Sequence, residues 1–117
     1  MRHVESNLQK NCVTWFRLQY RQIARLFFAV PNGGARSKIE AGIMKGEGVT
    51  AGVADTLLLY PSGPYHFLCV EFKAPGRYQE KTQKAWQALV EANGGKYIVC
   101  RSLEQFQDEI RLYLGAS

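Results

Sequence analysis

The stretch of residues 52–73, GVADTLLLYPSGPYHFLCVEFK, gives the clearest indication of how the chain folds. Its two apolar runs, residues 56–60 and 65–70, are rich in the residue types that strands favour. The segment PSGP between them, residues 61–64, has the composition of a tight turn. The sequence therefore predicts a buried antiparallel hairpin, around which we expect the rest of the chain to pack.

Three charged side chains interrupt this hairpin. Asp55 lies in the first strand, and Glu71 and Lys73 lie in the second. Because strand side chains alternate between the two faces of a sheet, Glu71 and Lys73 point the same way. If the turn centres on Gly63, antiparallel pairing places Asp55 opposite Glu71, with Cβ atoms within about 5 Å. Carboxylates this close repel each other unless a cation lies between them, so the pattern predicts a divalent metal site beside a lysine.

Helices and strands alternate on either side of the hairpin, as shown by the spacing of apolar residues and by capping signals. This alternation predicts an α/β fold, with a mixed sheet of about four strands and helices on both faces. The predicted elements around the hairpin are a helix over residues 3–25, a strand over 26–30, a short helix over 37–45, a helix over 79–92, a strand over 97–100 and a last helix from 102.

Composition restricts the class of protein. The chain has 117 residues, 46% hydrophobic and 21% charged, which predicts one globular domain over residues 1–117. No apolar run approaches the roughly 18 residues of a membrane span, and no signal peptide is expected. Cys12, Cys69 and Cys100 lack CxxC spacing and lie in apolar surroundings, which predicts reduced core thiols and a cytoplasmic protein. The net charge of +5 is compatible with a polyanionic partner.

The hairpin charges belong to an ordered set of motifs that covers nearly the whole chain. The set consists of Glu5, the segment PNGGAR at residues 31–36, GVTAGVAD at 48–55, Glu71-Phe72-Lys73, Gln83 and GGKYIV at 94–99. It resembles the VRR-NUC family of the PD-(D/E)xK nuclease superfamily. One departure is Ala54, where the superfamily name would put proline, and this position mainly shapes the backbone.

The resemblance implies a restriction-endonuclease-like core and a metal-dependent DNA endonuclease. Stand-alone members resemble Holliday-junction resolvases, which implies branched DNA as the substrate and a homodimer as the active form. No association with membranes is expected, because no apolar run is long enough for a membrane span. Mg²⁺ or Mn²⁺ would be held by Asp55, Glu71 and the backbone carbonyl of Phe72, and Mg²⁺ does prefer such oxygen ligands. Lys73 would lie beside the attacking water and orient it.

Two further residues, Glu5 and Gln83, enter the catalytic set through the resemblance. Glu5 shares a helix face with apolar residues and could turn inward as an active-site acid. It could instead be an exposed glutamate that interacts with the helix dipole. Gln83 would reach the site or the scissile phosphate, or it could be a surface residue between Gln79 and Gln87.

The glycine-rich loop before the short helix is a candidate DNA contact. Its backbone amides and the arginine that follows could bind a phosphate, although the same loop could be a plain tight turn. Two lysines nearby in sequence favour the DNA contact. The predicted DNA-binding residues are Asn32, Gly33, Gly34, Arg36, Lys38 and Lys45.

Two other classes of function remain open. A non-catalytic module on a nuclease-like fold would bind DNA without cleaving it. A structural domain would use Asp55, Glu71 and Lys73 as a cross-strand salt-bridge cluster on a solvated edge. Charged side chains inside strands this apolar cost free energy, and such residues are most common at functional sites. This favours the enzyme.

Overall fold

A computed structural model of the protein describes residues 2–31 and 37–115. The elements are α1 (Arg2–Gln19), a 3-10 helix (Arg21–Leu26), β1 (Phe27–Ala29), α2 (Lys38–Gly46), β2 (Thr56–Leu58), β3 (Phe67–Phe72), α3 (Lys81–Ala92), β4 (Gly95–Cys100) and α4 (Leu103–Gly115). The strands form one sheet in the order β1-β2-β3-β4. The first two pairings are antiparallel and the third, β3 with β4, is parallel. The predicted mixed four-stranded sheet is confirmed.

Helices cover both faces of this sheet. On one face, α1 and α4 contribute the apolar side chains of Cys12, Phe16, Phe106 and Ile110 to the main core. On the other face, α3 packs through Val90 and Trp86 against a smaller apolar cluster. β3 lies between β2 and β4, so both of its edges are paired and both of its faces are covered. The charged residues of this strand therefore lie in the interior of the protein.

The register of the hairpin places the two predicted carboxylates together. Thr56 pairs with Val70 in the ladder between β2 and β3. Continuing that ladder by one residue sets Asp55 opposite Glu71, as the sequence predicts. Side chains at both positions then project from the same face of the sheet.

The turn itself differs from the prediction. Ser62 and Tyr65 exchange two backbone hydrogen bonds of 3.0 Å, which leaves a two-residue loop of Gly63 and Pro64. Gly63 has φ of 56°, as the first position of a type II′ turn requires. Between this bridge and the pair Leu58–Leu68, three residues (59–61) oppose two (66–67). This one-residue bulge restores the register that a turn centred on Gly63 would have given.

Two predicted helix boundaries are corrected by local contacts. The first helix ends at Gln19, because Tyr20 leaves the helical conformation (φ −122°, ψ 65°) and packs its ring on Phe16 at 5.1 Å. The third helix begins at Lys81 rather than at residue 79, because Glu80 is its N-cap. The remaining predicted elements are present, with strand ends shifted by at most two residues.

The three cysteines are buried and free, as predicted. Burial raises the pKa of each thiol to about 12, so all three stay protonated at neutral pH and are poor nucleophiles. Among the described residues, no helix is long and apolar enough to cross a membrane.

Candidate active site

Glu71 is the most enclosed charged residue of the hairpin, at 1% exposure. Its Oε1 accepts hydrogen bonds from the Tyr97 hydroxyl on β4 and from Gln79 Nε2, the latter at 3.1 Å. Its Oε2 is buried and has no hydrogen-bond partner within residues 2–31 and 37–115. The nearest cation, Lys73 Nζ, lies 3.9 Å from that oxygen. A buried carboxylate oxygen without a partner costs free energy, which a bound cation would remove.

Asp55 is half-buried at the start of β2, and its Oδ2 accepts a 2.7 Å hydrogen bond from the backbone N–H of Phe72. Burial is the largest influence on its pKa and raises it. The Phe72 hydrogen bond lowers the pKa, repulsion from Glu71 and Glu5 raises it, and attraction to Lys73 lowers it. Because each of these charges acts on Asp55, the four ionisable residues form one cluster.

Glu5 turns inward from the first turn of α1. Its Oε2 accepts a 3.0 Å hydrogen bond from the backbone N–H of Ala74, just beyond β3. The contact ties α1 to the segment that follows Lys73 and adds a third carboxylate to the edge of the cluster.

Lys73 extends the same face of the sheet as Glu71, and only 11% of its side chain is exposed. Its backbone N–H donates to the Cys100 carbonyl at 3.0 Å and so continues the pairing with β4. Since β3 is an interior strand, the charged residues do not lie on a solvated edge. The structure therefore contradicts the solvated edge that the salt-bridge alternative predicts, although Lys73 and Glu71 do form an ion pair.

The side chain of Gln83 makes its hydrogen bond at the start of α3 and not with the cluster. Its Oε1 accepts a 2.8 Å hydrogen bond from the Glu80 backbone N–H and so completes the capping box of α3. The glutamine that contacts Glu71 is Gln79, four residues earlier. Neither Gln79 nor Tyr97 was predicted as a site residue. The available signal was that Tyr97 and Val99 share one face of β4, but it needs the β3–β4 register to become useful.

Of the predicted DNA-binding residues, the structure describes Lys38 and Lys45. Asn32, Gly33, Gly34 and Arg36 fall outside the described residues. Lys38 and Lys45 are exposed on α2, and neither is among the described residues that line the cleft beside Asp55. That cleft has a volume of about 830 Å³ and lies between α1 and the segment at the end of β1.

Comparison with known proteins decides the family. The model of the VRR-NUC domain matches residues 1–104. The chain belongs to the VRR-NUC family, a family of nuclease domains. A solved structure described as a VRR_NUC domain protein superposes with a TM-score of 0.85 at 22% identity, covering 97% of this chain and 90% of that chain. This VRR-NUC fold is thereby confirmed. Among curated proteins, none matches the sequence significantly.

Whether this cluster can hold a metal ion depends on the donor atoms that it offers. Among the described residues, no group of three or more His, Cys, Asp or Glu side chains is arranged to hold one. Mg²⁺, however, usually takes only one or two carboxylates and completes its shell with water and substrate phosphate. Asp55 and the unpartnered Oε2 of Glu71 supply two carboxylates at adjoining register positions. The donor set therefore fits a hard divalent cation such as Mg²⁺ or Mn²⁺.

The raised pKa of Asp55 leads to a stability prediction. A carboxyl group whose pKa in the folded state lies above its ordinary value of 3.8 adds to the free energy of unfolding, and this contribution is fully present below pH 3.8. It is lost as the pH rises through the pKa of the folded state. In EDTA at neutral pH, Asp55→Asn should therefore raise the melting temperature by several degrees, and the gain should vanish below pH 3.8. Differential scanning calorimetry across this pH range measures it.

The control for this experiment is Asp108→Asn on α4, whose side chain is 81% exposed. It should leave the melting temperature unchanged at every pH. An Asp55→Asn variant that melts at or below the wild-type temperature in neutral EDTA would contradict the cost of burying the charged Asp55 beside Glu71 and Glu5.

The Tyr97 hydroxyl leads to a second prediction, because it holds one oxygen of Glu71. Burial and this hydrogen bond raise the pKa of Tyr97, so the hydroxyl stays protonated and donates. Tyr97→Phe should weaken Mg²⁺ binding by about 10- to 100-fold, as is usual when a partner of a metal ligand is lost. Titration of the melting temperature with Mg²⁺ measures the affinity.

Tyr113→Phe is the matched control, because that hydroxyl donates to the Tyr60 carbonyl instead. Equal Mg²⁺ affinities for the two variants would contradict the role of Tyr97.

Proposed function

We propose that this VRR-NUC chain is a Mg²⁺- or Mn²⁺-dependent endonuclease that hydrolyses phosphodiester bonds of DNA. The observation that carries the proposal is the buried, unpartnered Oε2 of Glu71, with Asp55 opposite and Lys73 Nζ 3.9 Å away. A structural domain has no reason to keep such an oxygen, whereas a cation site requires it. The membership of a nuclease family supports the same reaction class.

Each residue of the cluster would have a separate role in such a reaction. Asp55, Glu71 and the Phe72 carbonyl would hold the cation, which supplies a lowered pKa for water and stabilises charge developing on the phosphate. Lys73 would orient the attacking water and offset negative charge through its ammonium group. Tyr97 fixes the Glu71 carboxylate through its hydrogen bond.

Glu5 would act at the border of this site. Its Oε2 is occupied by the Ala74 N–H, which leaves Oε1 to accept a hydrogen bond from a water near Asp55. Gln79 shares the Glu71 carboxylate with Tyr97 and keeps it from rotating toward solvent.

A preference for branched DNA and a homodimeric active form complete the proposal. Both rest on the resemblance to stand-alone nucleases of the Holliday-junction-resolvase type. Two sites related by a two-fold axis would face two strands of one four-way junction, so that paired nicks release two duplexes.

The test compares a labelled four-way junction with a linear duplex of the same sequence, in Mg²⁺, Mn²⁺, Ca²⁺ or EDTA. We expect nicking in Mg²⁺ and Mn²⁺, none in EDTA, and faster nicking of the junction. Light scattering on the same samples should give twice the mass of the chain. DNA binding without cleavage in any metal would instead identify a DNA-binding module, and neither activity would identify a structural domain.

A further inference from the structure

The cleft beside Asp55 continues along one face of α1, away from the carboxylates. The residues that α1 contributes to it recur at helical spacing from Glu5 to Arg17, so they form one continuous stripe. The neighbouring stripe of α1, with Cys12 and Phe16, is buried in the core. The cleft face is instead open to solvent, and apart from the half-buried Val13 and the glutamate it is built from the polar side chains Ser6, Gln9, Lys10, Thr14 and Arg17.

We propose that this face of α1 binds the DNA strand that is cut, with Lys10 and Arg17 contacting phosphates on one side of the scissile bond. The inference rests on the proposed nuclease function, which it deepens by giving the strand a path. It differs from the sequence prediction, which placed the DNA contact on the loop at residues 32–36 and on α2.

The charge distribution along the cleft supports a polyanion in this orientation. The carboxylates of Glu5 and Asp55 lie at one end, and the cations of Lys10 and Arg17 lie further along the helix. At a rise of 1.5 Å per residue, Lys10 is about 7.5 Å and Arg17 about 18 Å from Glu5 along the helix axis. A DNA strand carries one phosphate per roughly 3.4 Å of duplex axis, so a helix face lying parallel to that axis would span about five nucleotides.

Arg17 is held in place for such a contact. Its Nη2 donates a 3.1 Å hydrogen bond to the Phe27 carbonyl, which lies in the edge strand β1. A guanidinium has five N–H donors, so the others remain for a phosphate oxygen. Because the side chain is already ordered, binding costs less conformational entropy than it would for a free arginine.

The neutral polar residues between the cations also suit a nucleic acid strand. Ser6, Gln9 and Thr14 can donate to phosphate and sugar oxygens, which position a strand without reading its sequence. Val13 is half-buried and is the apolar exception among the α1 residues of the cleft. The other apolar residues of the cleft, Ala29, Val30, Pro31 and Phe72, come from the sheet side, so the α1 wall itself offers a strand mainly polar and cationic side chains.

The test measures DNA binding in EDTA, where no cleavage occurs, by fluorescence anisotropy of a labelled junction at several KCl concentrations. Lys10→Ala and Arg17→Ala should each reduce the slope of log K against log salt by about 1, because each removes one phosphate contact. The matched control is Lys84→Ala, which removes one exposed positive charge from α3 and should leave the slope unchanged.

Two further variants keep the result interpretable. Arg17→Lys retains the charge and should retain the wild-type slope, which separates phosphate binding from the hydrogen bond between Arg17 and the Phe27 carbonyl. The double variant Lys38→Ala, Lys45→Ala tests the competing surface on α2. If that variant lowers the slope while Lys10→Ala and Arg17→Ala leave it unchanged, the strand follows α2 and the proposal is overturned. A failure of the wild type to cleave would overturn the proposed function alone, since the slopes are measured without metal.

Discussion

Replacing Glu71 by glutamine is expected to lower the rate of Mg²⁺-dependent nicking by at least about 10³-fold. Glutamine keeps an oxygen that accepts from Tyr97 and Gln79, so the fold should survive. Its amide nitrogen takes the place of the unpartnered Oε2 and carries no charge with which to hold a cation. The loss should therefore be chemical and not structural, as measured by the nicking rate of a labelled four-way junction.

The melting temperature gives an independent readout of the same variant. At 100 times the dissociation constant, a metal that binds only the folded state adds about 2.7 kcal/mol of stability. Mg²⁺ should raise the melting temperature of the wild type and of the exposed control Glu104→Gln, but not that of Glu71→Gln. Nicking by Glu71→Gln within tenfold of the wild-type rate would show that Glu71 is not a ligand.

Replacing Lys73 by methionine is expected to slow nicking by about 10²- to 10⁴-fold, the usual contribution of a positioned proton-transfer or water-orienting group. Methionine fills the buried space of the lysine stem, whose side chain is 11% exposed. Metal binding should persist, because the ammonium group is not a ligand. The Mg²⁺-induced rise in melting temperature should even increase, since Glu71 loses its neighbouring cation and gains more from the metal.

Lys84→Met on the exposed face of α3 is the control for this variant and should nick at the wild-type rate. The two readouts for Lys73→Met are expected to move in opposite directions, with lower activity and a larger metal shift. A loss of both together would mean that Lys73 holds the ligands in place and takes no part in the chemistry.

Much of the fold and the centre of the site could be predicted from the hairpin alone. Side-chain alternation and a turn assumed to centre on Gly63 predicted the pairing of Asp55 with Glu71, and the bulge at residues 59–61 compensates for the different position of the turn. The capping box at Ser37 was also predictable, because its pattern is local, and the Glu40 N–H does donate to the Ser37 hydroxyl at 3.1 Å. Such features depend on residues within a few positions of one another or on one short turn.

Contacts set by tertiary packing could not be predicted. Gln79 and Gln83 are four residues apart, and which of them reaches Glu71 depends on where α3 begins. That start is fixed by the Glu80 cap, so the predicted glutamine is used at the helix end instead. Tyr97 was missed for a similar reason, since its position beside Glu71 follows from the parallel register of β3 and β4.

Because of the bulge at residues 59–61, the length of the β2–β3 connection determines whether Asp55 lies opposite Glu71. Surface connections usually accept insertions and deletions, and this one lies away from the cluster. Deleting one residue there would give a more regular hairpin, yet it would slide β2 by one position and turn Asp55 to the opposite face of the sheet. Among relatives of this chain, the residue count of this connection should therefore stay fixed and position 63 should keep a glycine, while the exposed residue types around it vary.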